Sequence, residues 1–155
     1  LSILYTIRIV VGGVVHNIYL SVWLLAFSIF FFFSLAAVKR QAELVDMKKR
    51  KKISAKGRGY HVNDLSIVGM SALGSGYVSV LILALYVNSP EVMKLYNNPV
   101  ALWGICCVLL YWITRFILIT RRGKMDDDPI VYASRDWVSY ICLLIILFFA
   151  VLGYL

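Results

Sequence analysis

Lys39, Arg40, Glu43 and Asp46 end an apolar run that contains four consecutive phenylalanines at positions 30–33. If a helix continues through that boundary, Lys39 and Glu43 stand at i,i+4 and Arg40 and Glu43 at i,i+3, all on one face. Cations beside a carboxylate at a lipid surface can grip a phosphate and a divalent metal. The plainer reading makes Lys39 and Arg40 interfacial anchors of a membrane helix. A second group joins Arg121, Arg122 and Lys124 to three adjacent carboxylates, Asp126, Asp127 and Asp128. Those carboxylates offer oxygen ligands for Mg2+, or solvated charges that balance the arginines. Arg8 lies in an apolar stretch, where a charge must face a wet cavity or snorkel outward. Arg58, between Gly57 and Gly59, fits a turn whose backbone N–H groups bind an anion, or an ordinary turn. Asp64 suits a helix cap or a metal ligand.

The elements that must position these residues are membrane helices. Sixty-one per cent of the chain is apolar, against about 45–50% in soluble domains. The expected architecture is an all-α integral membrane bundle of about five spans, at about 1–17, 19–38, 64–87, 100–120 and 137–155. Each longer run of about 20 residues covers the ~30 Å hydrocarbon core. The net charge of +8 comes almost wholly from residues 39–63, while residues 121–136 mix bases with as many carboxylates. Orientation and contact with anionic membrane lipids explain it better than nucleic acid does. The positive-inside rule makes the first loop cytoplasmic and the alternation of spans puts the second on the same side, so the expected setting is a multi-pass protein of the cell's inner (cytoplasmic) membrane. Ser71, Gly74, Ser75, Gly76 and Ser79 are expected to form a small-residue packing face. Cys106, Cys107 and Cys142, all inside apolar runs, are expected to pack and not to pair or bind metal. Trp103 and Trp112 are expected to pack against core or lipid. With Leu1 already in an apolar run and no charged n-region, a signal peptide is not expected, and part of the natural protein is expected to precede Leu1.

The order of motifs resembles the UbiA superfamily of membrane prenyltransferases. The resemblance runs through Tyr5-Thr-Ile-Arg8, Gly12-Gly13, Ser21-Val-Trp23, Lys39-Arg40-x-x-Glu43-Leu44 and Gly57-Arg58-Gly59-Tyr60. It continues in Gly74-Ser-Gly-Tyr77, Tyr111-Trp112-Ile-x-Arg115 and Arg122-Gly123-x-Met125-x-Asp127-Asp128-Pro129. It covers nearly the whole chain and is similar to the C-terminal half of the family's nine-helix bundle, in the branch that can carry a phosphatase-like domain ahead of the membrane part.

The resemblance implies a transferase that draws a polyprenyl phosphate or diphosphate into a lipid-open cavity and joins it to a small-molecule acceptor, aromatic or phosphoribosyl. It implies Mg2+ held against the diphosphate, where the metal offsets charge on the leaving group. The first Asp-rich motif of the family is absent from these residues, so they are expected to be inactive alone. The second, a DxxxD pattern, is replaced by Glu43 and Asp46, which become the implied catalytic carboxylates. Lys39, Arg40, Arg8 and Arg58 are the implied phosphate contacts, and Glu43, Asp64, Asp127 and Asp128 the implied metal ligands. The rival is a non-catalytic membrane subunit whose basic face docks a partner or anionic lipid. A transporter ranks last, for the spans show no paired internal repeat.

Overall fold

A computed structural model of the chain describes residues 21–50, 61–125 and 128–155, together with Leu4, Ile7, Arg8 and Val11. Most of the expected first span, the Gly57–Tyr60 turn with Arg58, and Asp127 lie outside the described residues. Every regular element among the described residues is helical. Among the described residues four helical segments are long and apolar enough to cross a membrane: Val22–Lys49, Val62–Val87, Pro99–Arg121 and Trp137–Tyr154. The protein is a multi-pass membrane protein.

The first of these, α1 (Val22–Lys49), is capped by Ser21, whose side chain accepts from the Trp23 N–H. It does not stop at Val38, where the charges begin, but continues to Lys49. The charge ends the apolar run without ending the helix, because Lys, Arg, Gln, Ala, Glu and Leu are all strong helix formers. Asp46 supports the last turn by pairing with Arg50 at i,i+4, and Lys48 and Lys49 suit the negative end of the helix dipole. Twenty-eight residues make a rod of about 42 Å, longer than the ~30 Å core. Its last turns therefore reach beyond the hydrocarbon, and the first part of the expected loop 39–63, up to Lys49, is helical.

A 3-10 turn, Val62–Asp64, leads into α2 (Leu65–Val87), which packs along α1. Ser28, Ser34, Val38, Gln41 and Leu44 form the buried stripe of α1. Val68, Ala72, Ser75, Gly76, Ser79 and Val80 lie buried on α2. Ser34 donates to the Ala72 carbonyl across the interface at 2.7 Å, a bond that small residues on both helices allow. The small-residue face is narrower than the sequence suggests. Ser75, Gly76 and Ser79 are buried, but Ser71 and Gly74 point outward. A helix turns 100° per residue, so a cluster of five small residues in nine cannot all share one side.

After α3 (Pro90–Leu95) and a 3-10 turn at Pro99–Leu102, the chain enters α4 (Trp103–Arg121), which packs on both α2 and α1. Its buried Ile113 and Phe116 meet Val38, Ala72 and Val80 in the main core. A Cβ on Gly76 would lie 2.6 Å from Ile113 Cγ2 and 3.0 Å from Ser34 Oγ. Ile113 is β-branched and stiff in a helix, so it cannot swing away cheaply. Gly76→Ala is expected to separate α2 from α4 and cost about 1–3 kcal/mol, measured by equilibrium unfolding in detergent. An unchanged midpoint would show that the helices shift without loss.

The chain closes with α5 (Pro129–Ala133) and α6 (Trp137–Tyr154). Aromatic rings link the helices: Phe27 stacks on Phe31, Phe31 on Trp112 and Trp112 on Phe116, with Tyr132 edge-on to Phe116. Trp112 is thus a core residue, while Phe30, Phe33 and Trp103 are exposed on the flanks, as suits contact with lipid. At the far end the 97–102 segment holds the end of α6. The Asn98 N–H donates to the Gly153 carbonyl, and Asn97 donates to the last two carbonyls.

Candidate functional site

The end of α1, the start of α2, the end of α4 and the start of α6 all lie at one end of the bundle. How α4 ends decides what is assembled there. Gly123 takes a positive φ of 66°, and the Gly123 and Lys124 N–H groups return to the Thr120 and Ile119 carbonyls. Such a left-handed residue after a helix is what glycine permits. The chain then folds back along α1: a Cβ on Gly123 would meet Lys49 Cε at 2.6 Å and Val45 Cγ1 at 3.0 Å. Lys49 donates to the Gly123 carbonyl, and buried Met125 accepts from Thr120. This return path delivers Asp128 to Lys39, across 89 residues of sequence.

One helical turn therefore presents two charge pairs, Lys39 with Asp128 and Arg40 with Glu43. Four of the residues singled out in the sequence come together, all partly exposed. The others are placed elsewhere or outside the described residues. Asp46 is two turns further on and pairs with Arg50. Asp64 accepts from the His61 N–H at 2.9 Å and so braces the turn that starts α2. Arg8 is exposed on a helical stretch. Arg58 and Asp127 are not among the described residues.

The predicted donors among the described residues do not form a metal cage. Among the described residues no three His, Cys, Asp or Glu side chains are grouped so that they could hold a metal ion. Glu43, Asp46 and Asp128 each face a cation instead.

A second polar group, inside the bundle's rim, joins Arg115 of the Tyr111-Trp112-Ile-x-Arg115 motif to Asp136, a pairing that the sequence pattern alone does not single out. Arg115 makes a two-pronged bond to Asp136, with Nη1–Oδ2 at 2.7 Å and Nη2–Oδ1 at 2.9 Å. Asp136 also caps α6, accepting from both the backbone and the hydroxyl of Ser139, and Ser139 accepts from the Trp112 indole at 2.9 Å. The Arg115 guanidinium holds the Asp136 carboxyl below the usual carboxylate range, desolvation opposes it, and the Ser139 bonds add to the lowering. The available signal was the Asp136-x-x-Ser139 capping pattern beside an arginine in an apolar run.

Two hollows flank these groups. An apolar one of about 260 Å3 lies between Phe31, Leu109, Trp112, Tyr140 and Leu143. A more polar groove of about 480 Å3 is lined by Arg115, Arg122 and Lys124 with Tyr111 and Tyr132.

The chain is similar to two curated rhizobial proteins. It is 37% identical over 147 residues to the nodulation protein NoeC of Azorhizobium caulinodans, covering 93% of this chain and 47% of NoeC. It is 36% identical over 138 residues to the uncharacterized protein y4nM of Sinorhizobium fredii, covering 88% of this chain and 27% of y4nM. The chain thus spans about half the length of one relative and about a quarter of the other. No family model and no solved structure matches.

Both similarities run over most of the chain, so they take in the helical bundle and its charged end alike. Chemically, that end offers two cations on adjacent positions of one helix, each steadied by a carboxylate, in a bundle that also holds an apolar hollow. Such a pairing suits an anionic headgroup on an apolar tail.

Proposed function

We propose that the chain is the C-terminal part of a UbiA-type transferase, acting on a polyprenyl phosphate or diphosphate at the cytoplasmic face of the membrane. The observation that carries this reading is the meeting of Lys39, Arg40, Glu43 and Asp128 at one end of a bundle that also holds an apolar hollow beside Phe31 and Trp112. In this reading the apolar hollow takes part of the prenyl tail, and Lys39 and Arg40 take the phosphate. Glu43 and Asp128 hold those cations in place until the substrate arrives. Lys39 and Arg40 supply charge stabilisation of the kind that favours a departing diphosphate. The acceptor is an aromatic or phosphoribosyl compound, and transfer requires the complete protein. Mg2+ belongs to the proposal through the substrate's phosphate oxygens together with Asp127 and Asp128, since Mg2+ commonly takes only one or two protein carboxylates.

The rival reading, a non-catalytic membrane subunit, draws support from the same charge pairs. Glu43, Asp46, Asp128 and Asp136 each have a basic partner, as structural ion pairs do. NoeC is a nodulation protein by name, which is compatible with either reading.

Polyprenyl phosphate binding to the full-length protein in liposomes separates the two. The transferase reading expects chelation of Mg2+, or Glu43→Gln, to weaken binding about 10–100-fold, the scale of losing a ligand-supporting group. Binding indifferent to both would leave the subunit reading in possession.

A further inference from the structure

Between α1, α2 and α4, at the charged end, lies a pocket of about 340 Å3 that the transferase reading does not use. Its wall includes Gln41, whose side chain is 2% exposed and whose Oε1 has no hydrogen-bond partner. A buried acceptor without a donor is costly and uncommon, so it marks a place where a donor belongs. Gly69 makes room for this amide: a Cβ there would stand 2.9 Å from Gln41 Nε2. Arg121 supplies a cation on the same wall, and no carboxylate lines the pocket. Tyr77 and Thr114, also on the wall, bond to each other at 3.0 Å. Leu65, Met70 and Leu73 make the rest largely apolar, with Met70 and Leu118 exposed on the flank.

We infer that this pocket binds the headgroup of an anionic membrane lipid that carries a free hydroxyl beside its phosphate, with the hydroxyl donating to Gln41 Oε1 and Arg121 holding the phosphate. Three features fit that class. The pocket opens at the rim of a membrane bundle, where headgroups lie; its cation matches the phosphate; and its orphan acceptor requires a donor that a bare phosphate diester lacks. The inference is independent of transfer chemistry and holds equally for an enzyme or a non-catalytic subunit.

The test uses the full-length protein in detergent and counts bound lipid by native mass spectrometry. Phosphatidylglycerol is compared with phosphatidylethanol, which has the same charge but no headgroup hydroxyl, and with phosphatidylcholine. Phosphatidylglycerol is expected to bind about tenfold more tightly than phosphatidylethanol, the scale of one well-made hydrogen bond. Gln41→Leu should abolish that preference and leave phosphatidylethanol binding unchanged. It should not destabilise the fold, since it removes an unsatisfied acceptor. Arg121→Ala should weaken both anionic lipids. Gly69→Ala, which displaces the amide while leaving it in the chain, should erase the preference as well and serves if Gln41→Leu does not fold. Glycerol 3-phosphate is added as a soluble competitor: competition at lipid concentrations would keep the site but make its ligand a free phosphate ester. Equal binding of phosphatidylglycerol and phosphatidylethanol to the unaltered protein would overturn the inference and leave Gln41 to a buried water.

Discussion

Asp136→Ala is expected to destabilise the bundle by on the order of 3 kcal/mol, the cost of stripping one partner from a largely buried ion pair. The Arg115 and Asp136 side chains are 21% and 11% exposed. Without Asp136, a guanidinium within a membrane span loses both of its bonds, α6 loses its cap, and Ser139 loses the acceptor for its hydroxyl. Arg115→Met should cost less, because the carboxylate left behind still caps α6 and sits at the positive end of its dipole. Removing both charges, Arg115→Met with Asp136→Asn, should recover much of the loss, as replacing a whole buried pair often does. Unfolding in detergent, followed by tryptophan fluorescence, to which Trp112 beside the network contributes, measures all three. Equal losses from the two single variants would mean that the pair, not the stranded cation, carries the energy. The pH dependence follows the same bond. Because the folded state lowers the Asp136 pKa, its contribution is fully present above the ordinary carboxylate value of about 3.9 and is lost as pH falls through the lowered one. Stability should therefore fall more steeply below about pH 4 in the unaltered protein than in Asp136→Asn.

Under the transferase reading, Lys39→Ala and Arg40→Ala should each lower transfer in the complete protein by about 100–1,000-fold, the effect of removing one preorganised charge-stabilising donor. The stability change should stay small. The Lys39–Asp128 pair is only partly buried, with side chains 33% and 43% exposed, and such pairs contribute about 0.2–1 kcal/mol. A charge swap makes the distinction sharp. Lys39→Asp with Asp128→Lys restores an ion pair between α1 and the segment before α5, but moves the cation to the opposite partner. Stability should return while transfer does not. Recovery of transfer in the swapped protein would show that the pair only ties the segment down, and the subunit reading would then lead.

The sequence was most legible where structure depends on local composition. The spans at 64–87, 100–120 and 137–155 match helices Leu65–Val87, Trp103–Arg121 and Trp137–Tyr154 to within a few residues. Apolar run length and the rise of a helix set such boundaries with little help from packing. The end of α1 was less legible, because hydropathy reports where the membrane ends and not where helical hydrogen bonding ends. Lys39, Arg40 and Glu43 were visible as a group because they sit within two turns of one helix.

What lies across the bundle was not written in any local pattern. Asp128 reaches Lys39 only because Gly123 turns the chain back along α1. Arg115 meets Asp136, and Gln41 is buried against Gly69, only because α1, α2, α4 and α6 adopt particular rotations about their axes. Sequence alone determined that this is a helical membrane protein with its charge gathered at helix ends. Tertiary structure decided which charges pair and which polar group stays unpartnered, since apolar helices of similar composition are rotated and tilted by the fit of small residues such as Gly76 and Ser34, not by hydropathy.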